Sequence, residues 1–239
     1  MSNKTHKWFI MKIPVLKKWL SYLMEVPVTQ LPSAHSGWLE LTISRGSYQL
    51  STAHAIYSFG DKYQNFREVF ETCNLGNPPV KNVLLLGLGM GSIPFMLEKV
   101  FNQRLHYTAV EIDEAVISLA SRYTLDELES PVSIIQADAE AFVYQSEETF
   151  DLICMDVFID DQIPDSMQNV EFARALRKRL TPAGFVIANH LGLHEKDKAK
   201  ATRYYNEIFK IVFPGADYMM ADNNMMMVSQ GSRIHSGSA

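Results

Sequence analysis

From residue 80 onward, short unbroken apolar runs alternate with stretches in which apolar residues recur every three or four positions. The runs Val80–Leu86, Leu105–Val110, Val132–Gln136, Phe150–Met155 and Phe185–Asn189 predict strands, because a strand covered on both faces needs few polar positions. Between them Ser92–Phe101, Glu114–Tyr123, Ala139–Tyr144, Val170–Leu180 and Lys196–Phe213 predict helices. Two more strand-like runs, 217–220 and 225–229, flank Asp222-Asn223-Asn224. Their connection is too short for a crossover, which implies an antiparallel hairpin. Upstream, 37–59 alternates in patches around Arg45-Gly46-Ser47 and predicts a small β-meander. Residues 61–75 place Tyr63, Phe66, Val69 and Phe70 at helical spacing, and "GNPPVK" (76–81) breaks the chain at a subdomain boundary.

Strands alternating with helices imply right-handed crossovers and a parallel sheet. The expected architecture is α/β: a seven-stranded Rossmann-like sheet with a C-terminal antiparallel hairpin, preceded by a small β-region. That ending is the outline of the S-adenosylmethionine-dependent methyltransferase fold, and the ordinary dinucleotide dehydrogenase sheet lacks it. The expected division is 1–76 for N-terminal helices and the β-region, 77–230 for a nucleoside-binding domain and 231–239 for a disordered tail. The segment "KWFIMKIPVLKKWLSYL" (7–23) is basic and aromatic, with no acid before Glu25, and Pro14 interrupts any single helix. Two readings stay open for it: short amphipathic segments packed on the domain, or a membrane-surface or partner-docking helix.

Composition narrows the partners. Among 239 residues, 22 Lys and Arg against 27 Asp and Glu leave a net charge of −5, which argues against a nucleic-acid binder. Cys73 and Cys154 lie far apart, so buried thiols in a reducing, cytoplasmic setting are expected. No apolar stretch reaches the roughly 18 residues of a membrane span. The histidines offer no ligand-like pairing beyond the loose spacing of His190 and His194, and no metal is expected. Those two follow the fifth strand, where His190 either lines an acceptor pocket, sits behind it or faces solvent.

The chemistry concentrates after the first long apolar run, in "VLLLGLGMGSIPF" (83–95). Gly87, Gly89 and Gly91 stand where open α/β sheets bind ligands and let the backbone approach one closely. The dinucleotide pattern wants a further glycine at position 92, which is Ser92. Glu111 ends the second strand, where a carboxylate can accept from both hydroxyls of an adenosine ribose. Asp113 reads as the cap of the following helix. Asp138 ends the third strand with Ala139 beside it. Its carboxylate accepts either from an adenine amine or, as a cap, from the next helix. Asp156 emerges after "FDLICM" at the same edge, where it can orient a nucleophile, take its proton or stabilise a sulfonium cation. At about 4 Å and an effective dielectric near 20, such a charge pair is worth up to ~4 kcal/mol before desolvation.

The stretches "VLLLGLGMGSIPFMLEK", "TAVEIDEAVISLA", "VSIIQADAEAF", "FDLICMDVFIDDQIP" and "LTPAGFVIANHL" resemble, in that order, the spermidine synthase (polyamine aminopropyltransferase) family. The likeness covers roughly residues 37–230 and is nearest the spermidine-synthase-like branch. It implies an adenosyl sulfonium donor, S-adenosylmethionine or its decarboxylated form, with Glu111 on the ribose, Asp138 on the adenine and Asp156 at the reacting centre. Several positions depart from the family pattern. The second acid of its Asp-x-x-Asp motif is Ile159, with Asp160 and Asp161 following. Its Tyr-His-Glu appears as Phe66-Arg67-Glu68, its glycine-loop aspartate as Met90, and its upstream glutamine falls near Tyr57.

The expected function is alkyl transfer, methyl or aminopropyl, to a small nucleophile by in-line attack beside the sulfonium. A non-catalytic nucleoside-binding protein and a true spermidine synthase are the alternatives, and a nicotinamide oxidoreductase is disfavoured by Ser92 and the hairpin. With Met90, Ile159 and Arg67 at the donor tail and acceptor, intact S-adenosylmethionine is expected to bind at least as tightly as its decarboxylated form. The expected partners are small molecules, and a homodimer is compatible with the sequence.

Overall fold

The computed structural model describes residues 13–52, 56–58, 60, 63–159 and 162–234. Its large sheet has seven strands: β5 (Asn82–Leu86), β6 (His106–Glu111), β7 (Val132–Gln136), β8 (Phe150–Met155), β9 (Leu180–Leu191), β10 (Asp217–Ala221) and β11 (Asn224–Val228). They lie in the order β10-β11-β9-β8-β5-β6-β7. β5 pairs in parallel with β6 and β8, and β9 with β8, whereas β11 runs antiparallel to both β9 and β10. The expected sheet and terminal hairpin are both present. Asp222 and Asn223 take positive φ at the hairpin turn, where short polar side chains tolerate it. β9 starts earlier than the apolar run because its pairing shifts between Phe150↔Leu180 and Leu152↔Phe185, leaving the polar residues after Leu180 outside the ladder.

Successive residues of the buried strands feed opposite faces. Leu84, Leu86, Ile153, Met155, Val186 and Ala188 pack on α5 (Ala139–Gln145), α6 (Val170–Lys178) and α7 (Glu195–Tyr204). Val83, Leu85, Leu152, Cys154, Phe185 and Ile187 pack on α2 (Gln64–Thr72) and on α3 (Ser92–Phe95), which continues as a π-turn through Val100. α2 is therefore part of the large domain's core, and the boundary expected near residue 76 cuts it from the layer it completes. Cys73 and Cys154 are buried and unpaired.

The small sheet holds β1 (Val26–Ser33), β2 (Gly37–Ser44), β3 (Ser47–Ser51) and β4 (Ile56–Ser58) in sequential order. β1 was not foreseen, because Pro27 and Pro32 argue against a strand; it lies at the sheet edge, where missing N–H donors are tolerated. Leu39, Leu41, Ile43 and Leu50 pack with Val116, Leu119 and Tyr123 of α4 (Glu114–Tyr123). Of the N-terminal helices expected, the described residues contain one, α1 (Val15–Leu20).

The expected disordered tail needs correction over 231–234. Gly231–Arg233 forms a 3-10 turn, and the buried Arg233 donates to the carbonyls of Asn74 and Ala183 while its guanidinium lies over Phe185. Residues 235–239 lie outside the described residues. No helix among the described residues is long and apolar enough to cross a membrane.

Candidate active site

The chain runs outward from β5 to β7 and then returns to β8, so the strand order switches between β5 and β8. Open α/β sheets bind ligands at such a point, outside the carboxyl ends of the strands. A cleft of about 550 Å³ lies there, lined by residues from six strand ends, the start of α2 and the β1–β2 turn. Gly87, Gly89, Glu111, Asp138, Ala139 and Asp156 all line it.

Gly87 follows β5 with φ +89°, and a Cβ there would lie 2.3 Å from the Asp156 carbonyl oxygen. No other residue type fits where β5 and β8 end side by side. Gly91 is the exception among the expected cofactor residues. It caps α3 at φ +72°, its α-carbon faces Leu125, and it does not line the cleft. Its role is to turn the chain. Met90 is likewise turned away, buried among Val116, Leu119 and Tyr123 beneath the small sheet.

Glu111 is already engaged. Oε2 accepts from Leu88 N and Oε1 from Asp113 N, both at 3.0 Å, so the carboxylate and the glycine loop hold each other in place. Each oxygen keeps acceptor capacity for a ribose hydroxyl. Asp113 caps α4 through Ala115 N at 2.9 Å and also accepts from Ser33 Oγ, tying the β1–β2 turn to the cleft rim. Asp138 caps α5 through Ala141 N at 2.8 Å and also lines the cleft, so the cap does not withdraw it from the site.

Asp156 sits midway along the cleft. Its Oδ1 accepts from Tyr63 Oη at 3.1 Å and from Asn189 Nδ2 at 2.8 Å. Burial pushes its carboxyl up to about 6, against the opposing pull of the bonds from Asn189 and Tyr63. The same surroundings push the Tyr63 phenol well above its ordinary value, so it stays a donor. A carboxylate poised near neutrality fits proton transfer.

Sequence reasoning missed Tyr63, Asn189, Asp197 and Asp222, all of which line the cleft. Asn189 carried a signal, since it ends the fifth apolar run as Asp156 ends the fourth. Tyr63 carried none, because its helix is far away in sequence. Arg67 is not at the site: its Nε pairs with Glu71 Oε1 at 3.1 Å, one turn along α2. His190 lines nothing either. It is buried on the opposite face of β9 from Asn189, stacked on Tyr204 with centroids 4.7 Å apart, so it does not pair with His194 at the rim. Ile159 lines the cleft half-exposed, whereas Asp160, Asp161 and the Tyr57 side chain lie outside what is described.

A family model described as the spermine/spermidine synthase domain matches residues 69–229. The chain belongs to that family. Among curated relatives, this spermine/spermidine synthase-family chain is 26% identical over 146 residues to a polyamine aminopropyltransferase of Vibrio vulnificus, covering 59% of this chain and 48% of the relative. It is 32% identical over 143 residues to one of Alkaliphilus metalliredigens, covering 58% and 50%. The chain thus spans about half the length of these relatives. Its fold is similar to a probable spermidine synthase from Corynebacterium glutamicum, with TM-score 0.67, 17% identity and coverage of 89% and 83%. Spermidine synthase from Thermotoga maritima gives 0.64, 15%, 85% and 72%. Human methyltransferase-like protein 13 in complex with SAH gives 0.55, 21%, 69% and 76%.

Proposed function

We propose that this chain transfers an alkyl group from an adenosyl sulfonium donor to an amine, and that its preferred donor is decarboxylated S-adenosylmethionine. The observation that carries this reading is the charge of the cleft. Glu111, Asp113, Asp138, Asp156, Asp197 and Asp222 line it, and among the described residues no lysine or arginine does. Their order follows the sheet. Glu111 and Asp138 end β6 and β7, Asp156 follows β8, and Asp197 and Asp222 lie beyond β9 and between β10 and β11. A nucleoside at the β6–β7 end puts its sulfonium toward Asp156 and leaves the β9–β11 end for a cationic acceptor.

The reaction needs little covalent chemistry from the protein. An uncharged amine nitrogen attacks the carbon beside sulfur, the carbon–sulfur bond breaks in line, and sulfur keeps the electron pair as a neutral thioether. The Asp156 carboxylate, which Tyr63 and Asn189 hold in place, takes the proton that the acceptor's ammonium must lose before its nitrogen can attack, and the new secondary ammonium keeps its own. Intact S-adenosylmethionine adds a carboxylate to a cleft lined by six acids and, among the described residues, by no lysine or arginine, a like-charge conflict in a partly desolvated site. The opposite expectation from sequence rested on Met90, Ile159 and Arg67; of these Arg67 faces Glu71 instead, while Ile159 does line the cleft.

Methyl transfer from intact S-adenosylmethionine is the second reading. It is favoured by Met90 and Ile159, which give the donor's tail amine and the acceptor fewer acids than the family pattern has. Calorimetry would compare S-adenosylmethionine, its decarboxylated form, methylthioadenosine and NAD, followed by turnover of each donor with putrescine. Tighter binding of the decarboxylated donor, with methylthioadenosine and spermidine formed, is expected, and Arg67→Ala should change neither. S-adenosylhomocysteine as the product would install methyl transfer, and binding without any product would make the chain a nucleoside-binding protein.

A further inference from the structure

Residues 1–24 contain Lys4, Lys7, Lys12, Lys17 and Lys18 and no acid, so they carry a formal +5 in a chain whose remaining residues carry −10. Ile13 packs against the core beneath the small sheet, but the helix that follows does not. α1 buries none of its residues. Leu16 is 80% exposed, Trp19 72% and Leu23 87%, with Val15 and Met24 also open to solvent. Yet the segment is fixed to the body. Ser21 is buried, its carbonyl accepts from Arg45 N at 2.8 Å and its Oγ from Gly46 N at 2.9 Å. The turn between β2 and β3 therefore holds α1 in a set orientation. The segment is thus anchored at Ser21 while the apolar side chains of Val15, Leu16, Trp19, Leu23 and Met24 stay in solvent.

We infer that this face docks on an anionic lipid surface. Lysines interleaved with tryptophan and leucine suit that boundary: the apolar side chains enter the headgroup–acyl region and the ammonium groups meet the negative headgroups. A second copy of the chain fits less well. A two-fold pairing of the patch sets lysines against lysines. The acidic body is itself repelled by an anionic membrane, so this face alone sets how the molecule sits on it.

The test is cosedimentation of the full chain with vesicles of phosphatidylcholine alone and of phosphatidylcholine with phosphatidylglycerol. Binding is expected only to the anionic vesicles, weakening as salt rises. Lys17→Ala with Lys18→Ala should lower the partition coefficient roughly 30-fold, about five-fold for each lysine removed. Trp19→Ala with Leu23→Ala should lower it too, while the melting temperature of both variants stays that of the parent because these side chains are exposed. Equal binding to neutral vesicles, or no binding to either, overturns the inference. Self-association without lipid that the same variants abolish assigns the face to a second copy and also overturns it.

Discussion

Replacing Asp156 by Asn should make the ligand-free protein more stable and disable transfer. The magnitude follows from the carboxyl group's position. Burial raises its pKa from 3.8 to about 6, net of the bonds from Asn189 and Tyr63. The folded state thus binds the proton more tightly than the unfolded chain does. Below pH 3.8 both states are protonated and the group costs nothing. Stability falls as pH rises from there to about 6, and above that the full penalty applies. At about 1.4 kcal/mol for each tenfold change in proton affinity, the penalty is roughly 3 kcal/mol. Asn is neutral throughout and keeps an oxygen to accept from Tyr63 and Asn189. Parent and variant would be melted by calorimetry across pH. Near about pH 8 the variant should melt higher, by roughly 6–12 °C at about 2–4 °C per kcal/mol, and near about pH 4 the two should converge. Turnover of the parent should rise with pH through about 6 as Asp156 ionises, and the variant should lose about 100-fold or more. Parallel melting curves at all pH values would refute the reasoning, since they would mean that Asp156 is not held desolvated.

Other residues make separable predictions. Glu111→Ala should weaken an adenosyl ligand by roughly 10- to 100-fold in calorimetry, the loss of a charge-assisted contact worth about 1.5–3 kcal/mol. It should also lower the melting temperature slightly, because Leu88 N and Asp113 N lose their acceptor. Gly87→Ala should cost more than about 3 kcal/mol, since its Cβ would meet the Asp156 carbonyl at 2.3 Å; a soluble variant melting like the parent would contradict this. His190→Phe should remove a buried imidazole whose two nitrogens have no partner. Burial lowers that imidazole from 6.5 to about 3, so the parent loses stability as pH falls below 6.5 while the unfolded chain takes up the proton. The variant's advantage should widen by about 2 kcal/mol between about pH 7 and about pH 5, and a constant advantage would speak against the buried, neutral state.

The large sheet and its hairpin were legible because their signals are local. "VLLL", "FDLICM" and "FVIAN" are strands buried on both faces, and such strands read as unbroken apolar runs. Asp113 and Asp138 sit at helix starts, where a short acid satisfies free N–H groups whatever else it does. Glu111, Asp138 and Asp156 could be placed at one edge because each ends a strand, and parallel strands present their carboxyl ends together.

Direction was not legible. Asn189 and His190 are neighbours at the end of β9, yet one reaches Asp156 and the other is buried against Tyr204. Adjacent strand residues point to opposite faces, and only the packing of α2 on one face and α7 on the other says which face holds the site. Arg67 and Met90 occupy positions where the family pattern has polar groups at the ligand, but α2 turns Arg67 toward Glu71 and the small sheet draws Met90 into its core. Tyr63 reaches Asp156 from 93 positions away, a contact that no window of sequence contains. The sequence by itself determined which segments are strands and helices and which acids stand at strand ends. The tertiary structure decided which side chains meet, because that depends on how each element is rotated by the apolar faces packed against it.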